Sequence, residues 1–246
     1  RKITAILTES GVKTDWIQWD VEHPTGYVTV DTSIPSQPRF TIHENVAWDY
    51  MELSSAWQNA VESAAAVCFG TLAQRHPVSR NTIRSLLNGQ KEKRLLVFDV
   101  NLRQHYFSRA LIEEGLRLTR LVKLNQDEVR VLCQLLASPA GSEYEFCQHV
   151  LKRFGVDAVC VTRGEQGCLI VDRSGTADVS GIPVNVADTV GAGDAFTAAW
   201  VVSRLLGWSL ARQADFANRV GALVASLPGA MPPVKQEYEK ILQTLG

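Results

Sequence analysis

The chain has 246 residues, 46 % hydrophobic and 21 % charged, with 25 Lys+Arg against 26 Asp+Glu for a formal net charge of −1. That composition fits a globular protein with core enough for one large domain or two smaller ones. Without a basic excess or stripe it argues against nucleic acid or an anionic membrane as principal partner, and the most apolar stretch, Ala195 to Trp208, is interrupted by Arg204 and too short to span a bilayer.

The opening residues read as a short helix ending at ESGV. DWIQWD, TGYVTVD and PRFTIHE then alternate apolar and polar residues between EHP and SIPSQP, which predicts strands with one exposed face. From Leu53 the rhythm changes. WQNAVESAA reads as helix and AVCFG as a compact buried strand; RNTIRSLLN as helix and RLLVFDVN as strand. RALIEEGLRL reads as helix and RLVKLN as strand; DEVRVLCQLL and YEFCQHVLKRFG are helices before the strand DAVCVTRG. Apolar strands alternating with amphipathic helices imply βαβ units and a mostly parallel sheet. After GCLIVD and GIPVNV, three closing helices are predicted from near Asp194, Leu210 and Gln236. The change of rhythm divides the chain into residues 1–50 and 51–246.

Five cysteines, Cys68, Cys133, Cys147, Cys160 and Cys168, show no CxxC spacing and sit mostly in apolar contexts such as AAAVCFG and DAVCVT. They read as buried, reduced thiols, which points to the cytoplasm. The five histidines show neither HxxxH nor HExxH, so a zinc site has little support. No signal peptide is recognisable.

In parallel sheets, ligands bind outside the carboxyl ends of the strands, where loops lead into helices. Asp99, Asn101 and Arg103 follow LLVF; Asn125, Asp127 and Glu128 follow LVKL; Thr162, Arg163 and Gly164 follow AVCV. Each cluster is also what a helix N-cap calls for. A fourth cluster on the same rim, DTVGAGDAF at residues 188–196, makes capping alone a poor account of all four.

DTVGAGDAF fits neither GxxxxGK[ST] nor GxGxxG, because Phe196 occupies the final position of the latter. What remains is an anion hole, with the backbone N–H groups of Gly191, Ala192 and Gly193 at the positive end of a helix. Asp194 then lies beside a bound phosphate. A carboxylate there repels the anion, and makes sense as a base that takes a proton from an attacking hydroxyl. The competing reading is a glycine-rich turn with an Asp cap.

DTVGAGDAF resembles the signature of the ribokinase-like (PfkB-type) carbohydrate kinases, and FDVNLR, KLNQDEV and VTRGEQGCLI follow in the family's order and at fitting separations. CFGTLAQR and DVNLRQHYF are most similar to the fructokinase branch. The resemblance covers essentially the whole chain. It implies a three-layer α/β/α sandwich with a mostly parallel sheet and a small β lid, and ATP-dependent phosphorylation of a sugar hydroxymethyl group. Residues 1–50 would carry the lid strands, Tyr27–Asp31 and Arg39–Glu44, over the sugar; residues 51–246 would form the nucleotide-binding and catalytic domain. Asp194 would be the base and Gly191–Gly193 the anion hole. By the same resemblance Arg103 and Asn101 lie towards the phosphates, Asn125 and Thr162 to Gly167 (with Gly164) line the nucleotide site, and Asn218 lies near the adenine. Asp188, the Val190 carbonyl and the carbonyls from Ala225 to Gly229 match a monovalent-cation site for K+, and Mg2+ travels with ATP. A homodimer through the lid strands is expected.

Members of the family begin with a strand and a glycine-rich segment, whereas this chain opens inside the helix that follows them. The expectation is that further residues precede Arg1. Substrate readings within the family remain open: fructose or a related ketose, 2-keto-3-deoxygluconate, ribose or a nucleoside. A non-catalytic binding protein on the same fold is the reading from another class.

Overall fold

The computed structural model describes residues 2–31 and 39–245. The chain divides into two compact units, Arg1–Ala64 with Leu72–Gln90, and Ala65–Thr71 with Lys91–Gly246. A single break after residue 50 would have placed the two helices that follow it in the larger body. Both belong to the smaller unit instead, and only the strand between them belongs to the larger one.

The first unit holds α1 (Lys2–Glu9), β1 (Val28–Asp31), β2 (Arg39–Ile42), α2 (Ser55–Ser63) and α3 (Pro77–Leu87). β1 and β2 pair antiparallel with Val28 opposite Ile42 and Val30 opposite Phe40. The period of two puts those four apolar residues on one face, and Val28, Val30 and Phe40 are exposed. SIPSQP lies outside the described residues. DWIQWD, predicted as a strand, is not one. Its polar groups bond locally and to side chains rather than to a ladder. Ile17 N–H donates to Thr14 O, the Asp20 carboxylate accepts from the N–H groups of Glu22 and His23, and the Gln18 amide bonds the backbone of Glu52 in both directions. The Trp16 carbonyl accepts from Trp57 Nε1.

The second unit is built on a six-stranded sheet in sequence order: β3 (Ala66–Gly70), β4 (Leu95–Asp99), β5 (Leu121–Asn125), β6 (Ala158–Thr162), β7 (Cys168–Asp172) and β8 (Gly175–Val179). β3 to β6 run parallel; β7 and β8 pair antiparallel. Its helices are α4 (Arg109–Leu118), α5 (Gln126–Leu135), α6 (Glu143–Phe154), α7 (Ala192–Leu205), α8 (Leu210–Ala225) and α9 (Lys235–Leu245). Successive strand residues face opposite sides. Val97, Leu121, Cys160 and Ile170 pack with Phe196, Trp200, Phe216 and Val220 of α7 and α8, while α4, α5 and α6 lie against β4, β5 and β6. At Gly115 of α4 a Cβ would stand 2.7 Å from the Phe98 ring, so the helix approaches the sheet closely only because that side chain is missing. This is the three-layer α/β/α arrangement with a separate small antiparallel sheet.

Two expectations change here. GTADV forms β8, which the pattern hid because only Ala177 of its five residues is buried. GIPVNV stays without strand structure: Pro183 lacks the N–H a ladder needs, and residues 183–187 are exposed. Of the five thiols, Cys147, Cys160 and Cys168 are buried and Cys133 is half-buried. Cys68 is exposed, on a strand whose one described partner is β4.

Candidate active site

α7 starts from Gly191, whose φ of +84° suits glycine and whose Cβ, if it had one, would strike the Ala230 carbonyl. Gly191 O accepts from Ala195 N at 2.9 Å, closing the first turn. The N–H groups of that turn have no intrahelical acceptor and carry the positive end of the helix dipole. Of the three expected anion-hole residues, Ala192 already donates to Thr189 O at 3.3 Å, so Gly193 and the Asp194 N–H are the better placed donors. Asp194 lies exposed in the same turn.

Beneath this turn lies a buried polar cluster. Lys123 Nζ donates to Asp99 at 3.1 and 3.2 Å, and Thr197 Oγ1 on α7 stands 3.0 Å from Asp99 Oδ2 and 2.9 Å from Gly193 O. Burial pushes the Asp99 carboxyl up; the Lys123 ammonium and the Thr197 hydroxyl pull it down, and the balance leaves it raised. Sequence reasoning placed Asp99 on the rim but gave it no role, and it missed Lys123 and Thr197. The available signal was a single lysine inside the apolar run LVKL.

Glu128 ties two rim loops together. It closes a capping box with Asn125, accepting from Asn125 N at 2.8 Å, and its other oxygen accepts from Leu102 N at 2.7 Å. Burial raises the Glu128 carboxyl, and those two N–H bonds offset only part of the rise. The loop it holds carries Asn101, at φ +42°, and Arg103, whose guanidinium is exposed and folds back on Leu102 O. Thr71 Oγ1 stands within hydrogen-bond distance of the carbonyls of Val100 and Asn101.

A second group forms around the β6–β7 turn. Thr162 ends β6, Gly164 has φ +58° and Gly167 has φ +91°. A Cβ on Gly167 would collide with the Val179 carbonyl. Arg163 bridges Glu143 and Asp178. Asn218, buried on α8, donates through Nδ2 to Val179 O and Ser180 O at 3.4 and 3.2 Å, so its amide nitrogen serves the backbone after β8. The residues matched to the cation site also meet. Asp188 accepts from Val190 N at 2.9 Å and Gly229 N at 3.2 Å, and Ala225 O accepts from the N–H groups of Ala187 and Asp188. Among the described residues, no three His, Cys, Asp or Glu side chains are grouped to hold a metal, and no helix is long and apolar enough to cross a membrane.

Residues 1–237 match the family described as pfkB family carbohydrate kinase. The chain is 32 % identical over 243 residues to a sugar kinase of Pyrococcus horikoshii, covering 95 % of this chain and 74 % of that one. The crystal structure of that kinase, described as uncharacterized, in complex with ATP matches with a TM-score of 0.78 at 28 % identity, over 98 % of this chain and 79 % of the other. A fructokinase of Escherichia coli is 26 % identical over 251 residues, 95 % of this chain and 78 % of that protein. The fold is shared with a Vibrio cholerae fructokinase solved with fructose, ADP and calcium, at TM-score 0.79 and 23 % identity, covering 98 % of this chain and 81 % of that one.

Proposed function

Since the chain belongs to the PfkB family of carbohydrate kinases and is therefore a phosphotransferase acting on a sugar, with the ribokinase-like fold, we propose that it transfers the γ-phosphoryl group of ATP to a hydroxyl of fructose or a related ketose. The observation that carries this reading is the start of α7, where first-turn N–H groups and the exposed Asp194 carboxylate share one helix terminus. The Gly193 and Asp194 N–H groups donate to the phosphoryl oxygens, and the absence of a side chain on Gly193 lets those oxygens approach the backbone. Asp194 takes the proton of the sugar hydroxyl as its oxygen attacks phosphorus.

Arg103 and Asn101 serve the phosphates. Asn125, Thr162, Gly164, Gly167 and Asn218 serve the nucleotide, Asn218 by fixing the carbonyls after β8. Magnesium enters with ATP. Asp188 and the carbonyls of Val190, Ala225 and Gly229 are an all-oxygen donor set, which fits a hard monovalent cation such as potassium. That ion would hold the loop entering α7, and turnover is expected to be higher in potassium than in a bulky organic cation at equal ionic strength. The fructokinase relative and the CFGTLAQR and DVNLRQHYF stretches favour a ketose. The exposed apolar face of β1 and β2 supports pairing of two copies through that sheet, and the free thiols suit a cytoplasmic location.

ADP release measured across fructose, 2-keto-3-deoxygluconate, ribose and a nucleoside tests the substrate. Asp194→Asn tests the chemistry: kcat is expected to fall about 10²–10⁴-fold, the usual cost of losing a general base, while ATP affinity holds. Near-normal kcat in Asp194→Asn overturns the mechanism.

A further inference from the structure

Lys123 is out of character for its strand. Its neighbours Leu121, Val122 and Leu124 are buried hydrophobics, as a central strand requires, yet Lys123 is only 8 % exposed. Its Cα partner in the parallel register of β4 and β5 is Asp99, so the ion pair is set by the sheet itself. A buried pair of this kind is weak evidence for stability, because a hydrophobic pair of similar volume would join two strands as well or better. What sets it apart is its reach onto α7. Asp99 meets Thr197, which also bonds Gly193 O, and Lys123 Nζ lies 3.5 Å from where a Gly193 Cβ would stand.

Resting on the kinase reading above, we infer that Lys123, Asp99 and Thr197 are positioning residues for phosphoryl transfer, holding the first turn of α7 at the height from which Gly193 and Asp194 act. The Thr197 hydroxyl has one proton and two acceptors, so it links the carboxylate to the Gly193 peptide without locking either. Lys123 places a positive charge directly under that peptide, adding to the helix dipole where an anion would sit. The other charged groups acting on this cluster are Asp194 on α7 and Glu128 on α5.

Thr197→Val removes the hydroxyl at nearly constant volume, and Thr197→Ser keeps it. With Mg·ATP and fructose, or the panel sugar of highest turnover, kcat of Thr197→Val is expected to fall about tenfold or more, the scale of a misplaced reacting group. KM for ATP should change by less than about threefold, and Thr197→Ser should recover most of the rate. The double variant Asp99→Leu/Lys123→Met should lose as much kcat with a urea midpoint equal to or above that of the wild type. Amide hydrogen exchange at Gly193 and Asp194 should quicken in Thr197→Val and recover in Thr197→Ser. Unchanged kcat and exchange in Thr197→Val overturn the positioning role while the kinase reading stands, as does a rate loss matched by a fallen urea midpoint and not rescued by serine. Wild-type protein that releases no ADP with any sugar brings down both.

Discussion

In the second unit the sheet buries Leu96, Val97, Phe98 and Leu124 completely, and helix residues such as Ile112, Phe146, Trp200 and Phe216 are equally inaccessible. In the first unit the fully buried hydrophobic residues among those described are Val46 and Leu87. Its interior is polar. Asp49 takes the Arg75 guanidinium at 2.7 and 2.8 Å and the Val46 N–H at 3.2 Å; Ser79 bonds Trp48 O and Met51 N; Thr82 bonds Met51 O. Apolar packing is nondirectional and spreads its stabilisation over many small contacts, whereas a unit joined by directed bonds between few groups depends on each of them. The chain keeps its apolar mass under the candidate active site and gives the first unit a frame of specific ties.

Substitutions can break this contrast. Trp200→Ala in the second unit is expected to cost about 3–5 kcal/mol, because the cavity left under α7 cannot close; a loss below about 1 kcal/mol in urea unfolding would deny that this layer carries the unit. Asp49→Ala in the first unit should cost about 3 kcal/mol, since the Arg75 guanidinium would lose its two bonds to the buried carboxylate. Hydrogen exchange of β1–β2 against β4–β5 would show whether that loss stays in the first unit. The same pair has a pH signature. Burial pushes the Asp49 carboxyl up, but the Arg75 and Val46 bonds outweigh it and hold it below its ordinary 3.8. Its stabilisation is therefore complete above that value and is lost as pH falls through the lowered folded pKa. Asp49→Asn should show a shallower acid limb of stability.

Smaller effects sharpen the picture. Gly115→Ala adds a methyl against the Phe98 ring and is expected to cost about 1–3 kcal/mol by overpacking, measured as a shift in thermal midpoint. Asp127→Ala should change stability by less than about 0.5 kcal/mol, because its partner Arg130 and Asp127 itself are 77 % and 86 % exposed. A larger loss there would mean that surface charge, not the interior, distinguishes the units.

Much of the second unit was legible because its elements repeat one signal: an apolar strand, a helix with one apolar face, then another strand. AVCFG, LLVF, LVKL and AVCV all occur as strands. β8 was not legible, since Gly175–Val179 buries one side chain and reads as polar loop. DWIQWD misled for the opposite reason: it has strand-like alternation, but the Ile17 N–H donates to Thr14 O and the Trp16 carbonyl accepts from Trp57 Nε1, so backbone groups a ladder would use are taken by a local turn and a side chain. At the site, the glycines and Asp194 stood together in one short stretch and could be read directly. Asp99, Lys123 and Thr197 come from β4, β5 and α7, and only the register of the sheet and the pitch of the helix bring them together.

The placement of β3 has a topological consequence. The strand belongs to the second unit, while the chain on both sides of it belongs to the first. The polypeptide therefore passes from one unit to the other at residues 64/65, 71/72 and 90/91. A protease that cuts one of these crossings leaves two covalent connections intact, so no single nick can release the first unit. Nor can either unit be expressed as one uninterrupted stretch of the gene. Any exchange of the first unit between related kinases has to carry two separate segments and leave the seven residues between them, Ala65–Thr71, in place.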